Sequence, residues 1–227
     1  MIARNYDWLT FDCYGTLIDW ETGIHSAFKQ AFRSARLSKT QESRIFQIYE
    51  QEERKIEKDR PFRTYSEVLS LASSRAAKKL GIDIPKNSSK VLVEQLPTWK
   101  PFPDTNRALE ELSVKYKLGI LSNVDDDLLA GTMKHFTVPF DLVVTAEMVR
   151  SYKPGTRHFE EARRIIGSTA LWLHVAASLY HDIDPASRLG IELVWVNRKN
   201  LNPEQEFEGR RVKEVRSLAE LTEWLIV

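Results

Sequence analysis

Tyr6-Asp7-Trp8-Leu9-Thr10-Phe11-Asp12-Cys13-Tyr14-Gly15-Thr16-Leu17 is the stretch on which the reading of this chain turns. Its first half, Tyr6–Phe11, is short, apolar and aromatic, which predicts a β-strand ending at the turn signal Tyr14-Gly15. Asp12 follows that strand directly. A carboxylate there is either a turn or capping residue, or a reactive group presented at a strand end. Gly15 permits a tight turn and a close approach of backbone to a bound group. Thr16 can donate to the Asp12 carboxylate or simply stabilise the turn.

Beyond this stretch the pattern changes. From Glu21 to about Leu96 no strand-like run is evident and helical spacing dominates. Ser38-Lys39-Thr40-Gln41 and Thr64-Tyr65-Ser66-Glu67 read as capping boxes that open helices. Pro61 separates a helix over 41–59 from the one opening near Thr64, and Gly81 closes the latter. After Trp99-Lys100-Pro101-Phe102-Pro103 the pattern changes again. Strands are predicted at 117–121, 140–145, 171–176 and 192–196, alternating with helices at 104–114, 126–135, 156–166, 185–189 and 217–226. Alternating strands and helices imply a parallel sheet covered on both faces. The expected fold is therefore α/β, a doubly wound parallel-sheet core (1–17 and 98–227) with an inserted helical cap (18–97).

Composition bounds the function classes. The 227 residues carry a formal net charge of +1, with 42% hydrophobic and 29% charged residues. Nothing in that balance calls for nucleic acid or an anionic membrane as partner. Cys13 is the sole cysteine, so no internal disulfide can form. No apolar run approaches the roughly 20 residues of a membrane span, and no signal-peptide pattern opens the chain. A cytoplasmic location is the corresponding expectation.

In open parallel sheets ligands bind beyond the carboxyl ends of the strands. The residues there are Asp12–Thr16, Ser122-Asn123, the segment from Thr145 to Lys153, and 177–182. A lysine near Asp12 would keep that carboxylate ionised and aimed; a pair at 4 Å is worth on the order of 4 kcal/mol at an effective dielectric of 20, before desolvation. Read singly, Lys153 is an exposed loop residue before a proline, and Ser122-Asn123 is a helix cap or an anion cradle.

Together, Phe11-Asp12-Cys13-Tyr14-Gly15-Thr16-Leu17, Leu121-Ser122-Asn123, Tyr152-Lys153-Pro154 and an Asp182-bearing final loop stand in order at strand ends. This set resembles the four-motif signature of the haloacid dehalogenase superfamily, over nearly the whole chain. Most of its members are Mg²⁺-dependent phosphatases with a second aspartate two residues after the nucleophile. Here that position is Tyr14, a poor proton donor at neutral pH. Where a phosphatase has Gly-Asp-Ser, this chain has Ala176-Ala177-Ser178. Tyrosine after Phe-Asp-X is similar instead to the L-2-haloacid dehalogenases (type II). Their leaving group is a halide and their substrate a monocarboxylate, so neither acid nor Mg²⁺ is needed.

The resemblance implies Asp12 as nucleophile, with Thr16 and Lys153 supporting it and Asp182 positioning the hydrolytic water. Ser122, Asn123, Tyr14 and Ser178 would bind substrate, and Arg54 would receive the halide. It implies no cofactor, a small halogenated carboxylate as partner, and it allows a homodimer. Three departures accompany it. Ala176 and Ala177 are non-polar, Asp182 stands a residue or so too far along, and Arg54 sits in Glu50–Arg60, which also reads as a solvated helix face. His174 reads as a satisfied core histidine, and His181 as a candidate proton carrier. An altered phosphatase or phosphonate hydrolase and a non-catalytic relative stay open. The last would gain if Asp12 and Lys153 lay far apart.

Overall fold

The computed structural model describes residues 5–33, 37–83, 90–202 and 212–226. Its sheet contains β1 (Trp8–Phe11), β2 (Lys117–Ser122), β3 (Leu142–Thr145), β4 (Trp172–Ala176), β5 (Glu192–Val196) and β6 (Val212–Val215). All are parallel, in the order β3-β2-β1-β4-β5-β6. The chain runs outward from β1 to β3, then crosses back to β4 on the other side of β1. The topological switch, where such sheets open a crevice, therefore lies at β1.

Strand alternation sorts the core. Leu9 and Phe11 join Leu173 and Val175 in one apolar cluster, whereas Trp8 joins Trp172, Leu121 and Trp195 in another. Each face is covered by helices, so the central strands are buried throughout. The core helices are α5 (Thr105–Ser113), α6 (Asp126–Met133), α7 (Ala146–Val149), α8 (Arg157–Ile166), α9 (Asp184–Arg188) and α10 (Leu218–Ile226).

Between β1 and α5 lie α1 (Trp20–Ala31), α2 (Lys39–Ile56), α3 (Tyr65–Lys79) and α4 (Val91–Gln95), with α2 packed along α3 and α1 on α4. Both capping boxes form with reciprocal bonds, at Ser38 with Gln41 and at Thr64 with Glu67. Two sets of hydrogen bonds near the start of α3 help fasten the helical insert to the core. Asp125, after β2, accepts from the N–H groups of Tyr65 (2.5 Å) and Ser66 (2.8 Å) and from the Ser66 hydroxyl (2.6 Å) at the start of α3. Tyr152 donates its phenol proton to the Arg63 carbonyl at 2.8 Å and stacks on Phe62.

Several boundaries differ from expectation. The first strand begins at Trp8, because Tyr6 and Asp7 turn aside: the Tyr6 phenol donates to Glu192 and the Asp7 N–H to Leu171 O. β3 begins at Leu142 rather than 140, since Phe140 packs edge-on against Phe136. β6 was not anticipated. It is a four-residue edge strand, Val-Lys-Glu-Val, whose two central residues are exposed. Charged edge residues blunt strand association and also erase the apolar signal.

Candidate active site

The register brings the ends of β1, β2 and β4 level. Phe11 pairs with Ile120 on one side and Val175 on the other, and the Asp12 N–H still donates to Val175 O at 3.0 Å. Asp12 therefore leaves the sheet at its carboxyl edge. A tight loop follows, in which the Cys13 carbonyl accepts from the N–H groups of Thr16, Leu17 and Ile18. Gly15 takes φ +94°, which a β-carbon would oppose. The loop folds Thr16 back, so its hydroxyl donates to Asp12 Oδ2 at 2.9 Å and accepts from the Ala177 N–H at 2.9 Å. Cys13 itself is buried in the core and does not line the cavity at the site.

Lys153 arrives after β3 and the short α7. Asn123 clasps its backbone: Oδ1 accepts from the Lys153 N–H at 2.7 Å and Nδ2 donates to the Lys153 carbonyl at 3.0 Å. The ammonium group, 1% exposed, donates to Asp12 Oδ1 (2.8 Å), Asp182 Oδ1 (2.6 Å) and Leu121 O (2.8 Å). An ammonium has three protons, so all are engaged.

Asp182 reaches Lys153 through an unusual turn. Residues Leu179–Ile183 form a π-helical turn capped by Ser178, whose Oγ accepts from the His181 N–H at 3.0 Å. A π turn accommodates one more residue than an α turn. That absorbs the extra residue noted in the sequence and delivers the carboxylate to the ammonium.

Burial pushes the Asp12 carboxyl upward, while Lys153 pulls it back down. Burial also works against ionised Asp182, but the Lys153 charge and a hydrogen bond from His174 hold it below the usual carboxylate range. Burial disfavours the Lys153 cation, yet the two carboxylates outweigh that and raise it. The trio is thus one ammonium between two carboxylates: the cation favours the charge of both, while the Asp182 charge opposes that of Asp12, whose carboxyl stays above the usual range.

Behind it runs a second chain of contacts. Trp172 Nε1 donates to Thr10 Oγ1 at 2.7 Å, Thr10 Oγ1 meets His174 Nδ1 at 2.8 Å, and His174 Nε2 meets Asp182 Oδ1 at 3.1 Å. An indole N–H can only donate, so the Thr10 hydroxyl accepts from it and bonds Nδ1 with its remaining capacity. The Asp182 carboxylate can only accept, so His174 Nε2 donates to it. On the other side, burial lowers His158 to about 3, and its Nε2 donates to the Ser122 carbonyl at 3.1 Å.

Asp12, Lys153 and Asp182, though not the groups behind them, border a cavity of about 640 Å³ between core and insert. Ser122 is fully buried, and its Oγ has no hydrogen-bond partner among the described residues. The Tyr14 phenol contacts Thr132 Oγ1 at 2.7 Å. Arg54 is exposed at the rim, its guanidinium 5.5 Å from the Tyr180 ring centroid. Burial lowers His181 to about 4, and its Nδ1 lies 3.1 Å from Ser178 Oγ. Trp20 borders the cavity, whereas Phe62 stacks on Tyr152 outside it.

Sequence reasoning passed over the Trp172–Thr10–His174 chain, although period-2 alternation puts Thr10, Trp172 and His174 on one sheet face. It also passed over Glu50, Glu53 and Glu57, which border the cavity from α2 and its C-terminal end. They are hidden in a helix rich in charge of both signs.

The profile of the haloacid dehalogenase-like hydrolases matches residues 9–196. An (S)-2-haloacid dehalogenase of Pseudomonas putida is 24% identical, with 98% of each chain covered. A glyceraldehyde 3-phosphate phosphatase of Methanothermobacter thermautotrophicus is 32% identical over 56% of this chain and 59% of its own. The solved structure of the L-2-haloacid dehalogenase from Xanthobacter autotrophicus, with chloropropionic acid covalently bound, superimposes with a TM-score of 0.78 at 21% identity, covering 97% of this chain and 98% of that one.

The residues do not fit the Mg²⁺ that the phosphatases of such a scaffold use. Lys153 already bonds one oxygen each of Asp12 and Asp182, and Ala177 offers no ligand beside them. Among the described residues no group of three or more His, Cys, Asp or Glu is arranged to hold a metal ion.

Proposed function

Because the chain belongs to the haloacid dehalogenase-like hydrolases, we propose that it hydrolyses 2-haloalkanoic acids to 2-hydroxy acids through an ester on Asp12. The observation that carries this reading is the Lys153 ammonium, 2.8 Å from Asp12 and 2.6 Å from Asp182 at the floor of the cavity. A non-catalytic relative has no need for such an arrangement. Burying a lysine between two carboxylates costs desolvation that a merely structural site would avoid with apolar residues.

In this reading an Asp12 oxygen attacks the α-carbon in line. The C–O bond forms as the carbon–halogen bond breaks, and the halide leaves with the bonding pair. Thr16 and Lys153 each engage one Asp12 oxygen, so the carboxylate enters the reaction already oriented. Water then adds to the Asp12 acyl carbon and expels the 2-hydroxy acid, which regenerates the carboxylate. Asp182 lines this space, and its buried Oδ2 has no partner among the described residues. It is the open acceptor that orients the water. Because Asp182 is held strongly ionised, orientation rather than full deprotonation is its contribution. Ser122 Oγ supplies a free donor for the substrate carboxylate. Asn123 acts mainly through its clasp on Lys153, and Arg54 at the rim is the candidate for the halide. The chain would act inside the cell on a small halogenated carboxylate.

The test is halide release from 2-chloropropionate in EDTA, followed by single turnover in H₂¹⁸O. Metal-independent release, lost by at least a thousandfold in Asp12→Asn, and ¹⁸O appearing in the Asp12 carboxylate are expected. No halide from any 2-haloacid, with a phosphate ester cleaved once Mg²⁺ is supplied, would overturn the proposal in favour of the phosphatase.

A further inference from the structure

The cavity carries a charge pattern that a simple haloalkanoate does not explain. Its cations are nearly all engaged. Lys153 is held by Asp12 and Asp182. Arg198 forks onto Asp104 at 3.1 Å twice and donates to Thr16 O. Lys199 pairs with Glu21 at 2.5 Å. Among the described lysines and arginines that line it, Arg54 at the rim alone has no ion pair, and it shares the cavity with Glu50, Glu53 and Glu57.

Those carboxylates differ from ordinary surface glutamates. Glu53 is fixed, because Tyr49 and Tyr65 donate to its Oε1 at 2.7 and 2.8 Å, which leaves Oε2 without a hydrogen bond among the described residues. Glu57 follows one helical turn later, on the same face, and its side chain has neither hydrogen bond nor ion pair among the described residues. Burial raises both carboxyls, and the charge of Glu53 raises Glu57 further; Arg54 offsets this for both only in part, as do Lys153 and Lys58 for Glu57. A cation seated between them would relieve that penalty.

Two further observations point to a ligand. Ser122 Oγ, buried and unpartnered, waits on the opposite, core side of the same cavity. The cavity, at about 640 Å³, lies within the range that holds drug-sized molecules, far more than a three-carbon acid fills.

We infer that Glu53 and Glu57 form a specificity subsite for the ammonium end of a zwitterionic substrate, an α-halo acid with an amine-bearing arm whose carboxylate head sits at Ser122. The head-group half of this statement rests on the dehalogenase reading; the cation half does not. An anionic or apolar tail would meet carboxylates whose charge is compensated only in part, so the pair also rejects competitors.

Titration calorimetry of the full chain with butanoate and 4-aminobutanoate tests the subsite without chemistry. 4-Aminobutanoate is expected to bind about tenfold tighter, with the advantage lost in Glu57→Gln and reduced in Glu53→Gln. Parallel halide release from 2-chlorobutanoate and 4-amino-2-chlorobutanoate should show the same preference in kcat/KM. Equal or weaker binding of the amine, no measurable binding of either acid, or an advantage that survives both substitutions would overturn the subsite. Preferential amine binding without halide release from either chloro acid would leave the subsite standing and remove the dehalogenase reading instead.

Discussion

The two walls of the cavity treat charge in opposite ways. On the core side, each charge has an opposite partner: one lysine is shared by two aspartates, and a hydroxyl, an imidazole and a carbonyl add hydrogen bonds. On the insert side, Glu50, Glu53 and Glu57 face the same space with a single exposed arginine among them. The core wall fixes its charged groups before any ligand arrives, which is what preorganised chemistry requires. The insert wall is left incomplete, which is what recognition of a particular ligand requires.

The largest effect should come from breaking the matched wall. Lys153→Met leaves two carboxylates buried without a cation. Urea denaturation should show a loss of about 3–5 kcal/mol, and activity should vanish. A loss below 1 kcal/mol would mean that the carboxylates reach water and the wall is not sealed.

Next comes the support behind it. His174→Phe deprives Asp182 of a donor and Thr10 of a partner, so stability should fall by about 1–3 kcal/mol. It should also lower kcat with little change in KM, and allow Asp182 to protonate at a higher pH, moving the acidic limb of the kcat profile upward. His174→Gln, which can keep a donor toward Asp182, should recover part of the rate. An unaltered acidic limb in the Phe variant would make His174 a packing residue only.

Asp125→Ala probes how the two walls are held face to face. Three hydrogen bonds at the start of α3 are lost. About 1–3 kcal/mol of local stability should go with them, read as faster proteolysis within the insert and a raised KM. Unchanged protection of the insert would assign the docking to Tyr152 instead.

The smallest effect concerns the insert alone. Glu52, buried between α2 and α3, is bonded by Lys79 at 2.7 Å and Lys55 at 3.0 Å, which lower it to about 2. Its folded-state value lies below the unfolded one. The stabilisation is therefore present in full above about pH 4.5 and is lost as pH falls toward 2. The lysines are about half exposed, so screening limits it to about 1 kcal/mol. Glu52→Gln should flatten thermal stability across that window; an unchanged slope would show the cluster to be inert.

Much of this was legible in the residues. The alternation after Trp99 showed a parallel sheet because buried strands and amphipathic helices differ in period and length. The capping boxes at Ser38 and Thr64 marked helix starts because their hydrogen bonds are local. Asp12 and Lys153 were placed at strand ends by the same logic, and their separation of 2.8 Å removes the distance objection raised against catalysis. Other features left no local trace. Arg54 lies at the rim, and nothing in its own helix distinguishes it. Asp182 looked misplaced because spacing alone does not announce a π turn.

The sequence by itself determined the fold class and the strand end that presents Asp12, since both follow from short-range periodicity and turn chemistry. Only the tertiary structure decided what surrounds that carboxylate. Lys153 lies 141 residues from Asp12, and His174 lies 164 from Thr10. Such contacts depend on strand order and register, not on neighbouring residues. The sign of the insert wall was settled at the same level. Whether a helical glutamate meets water, a lysine or an enclosed cavity is fixed by what packs opposite, and desolvation there turns an ordinary surface charge into a selective one.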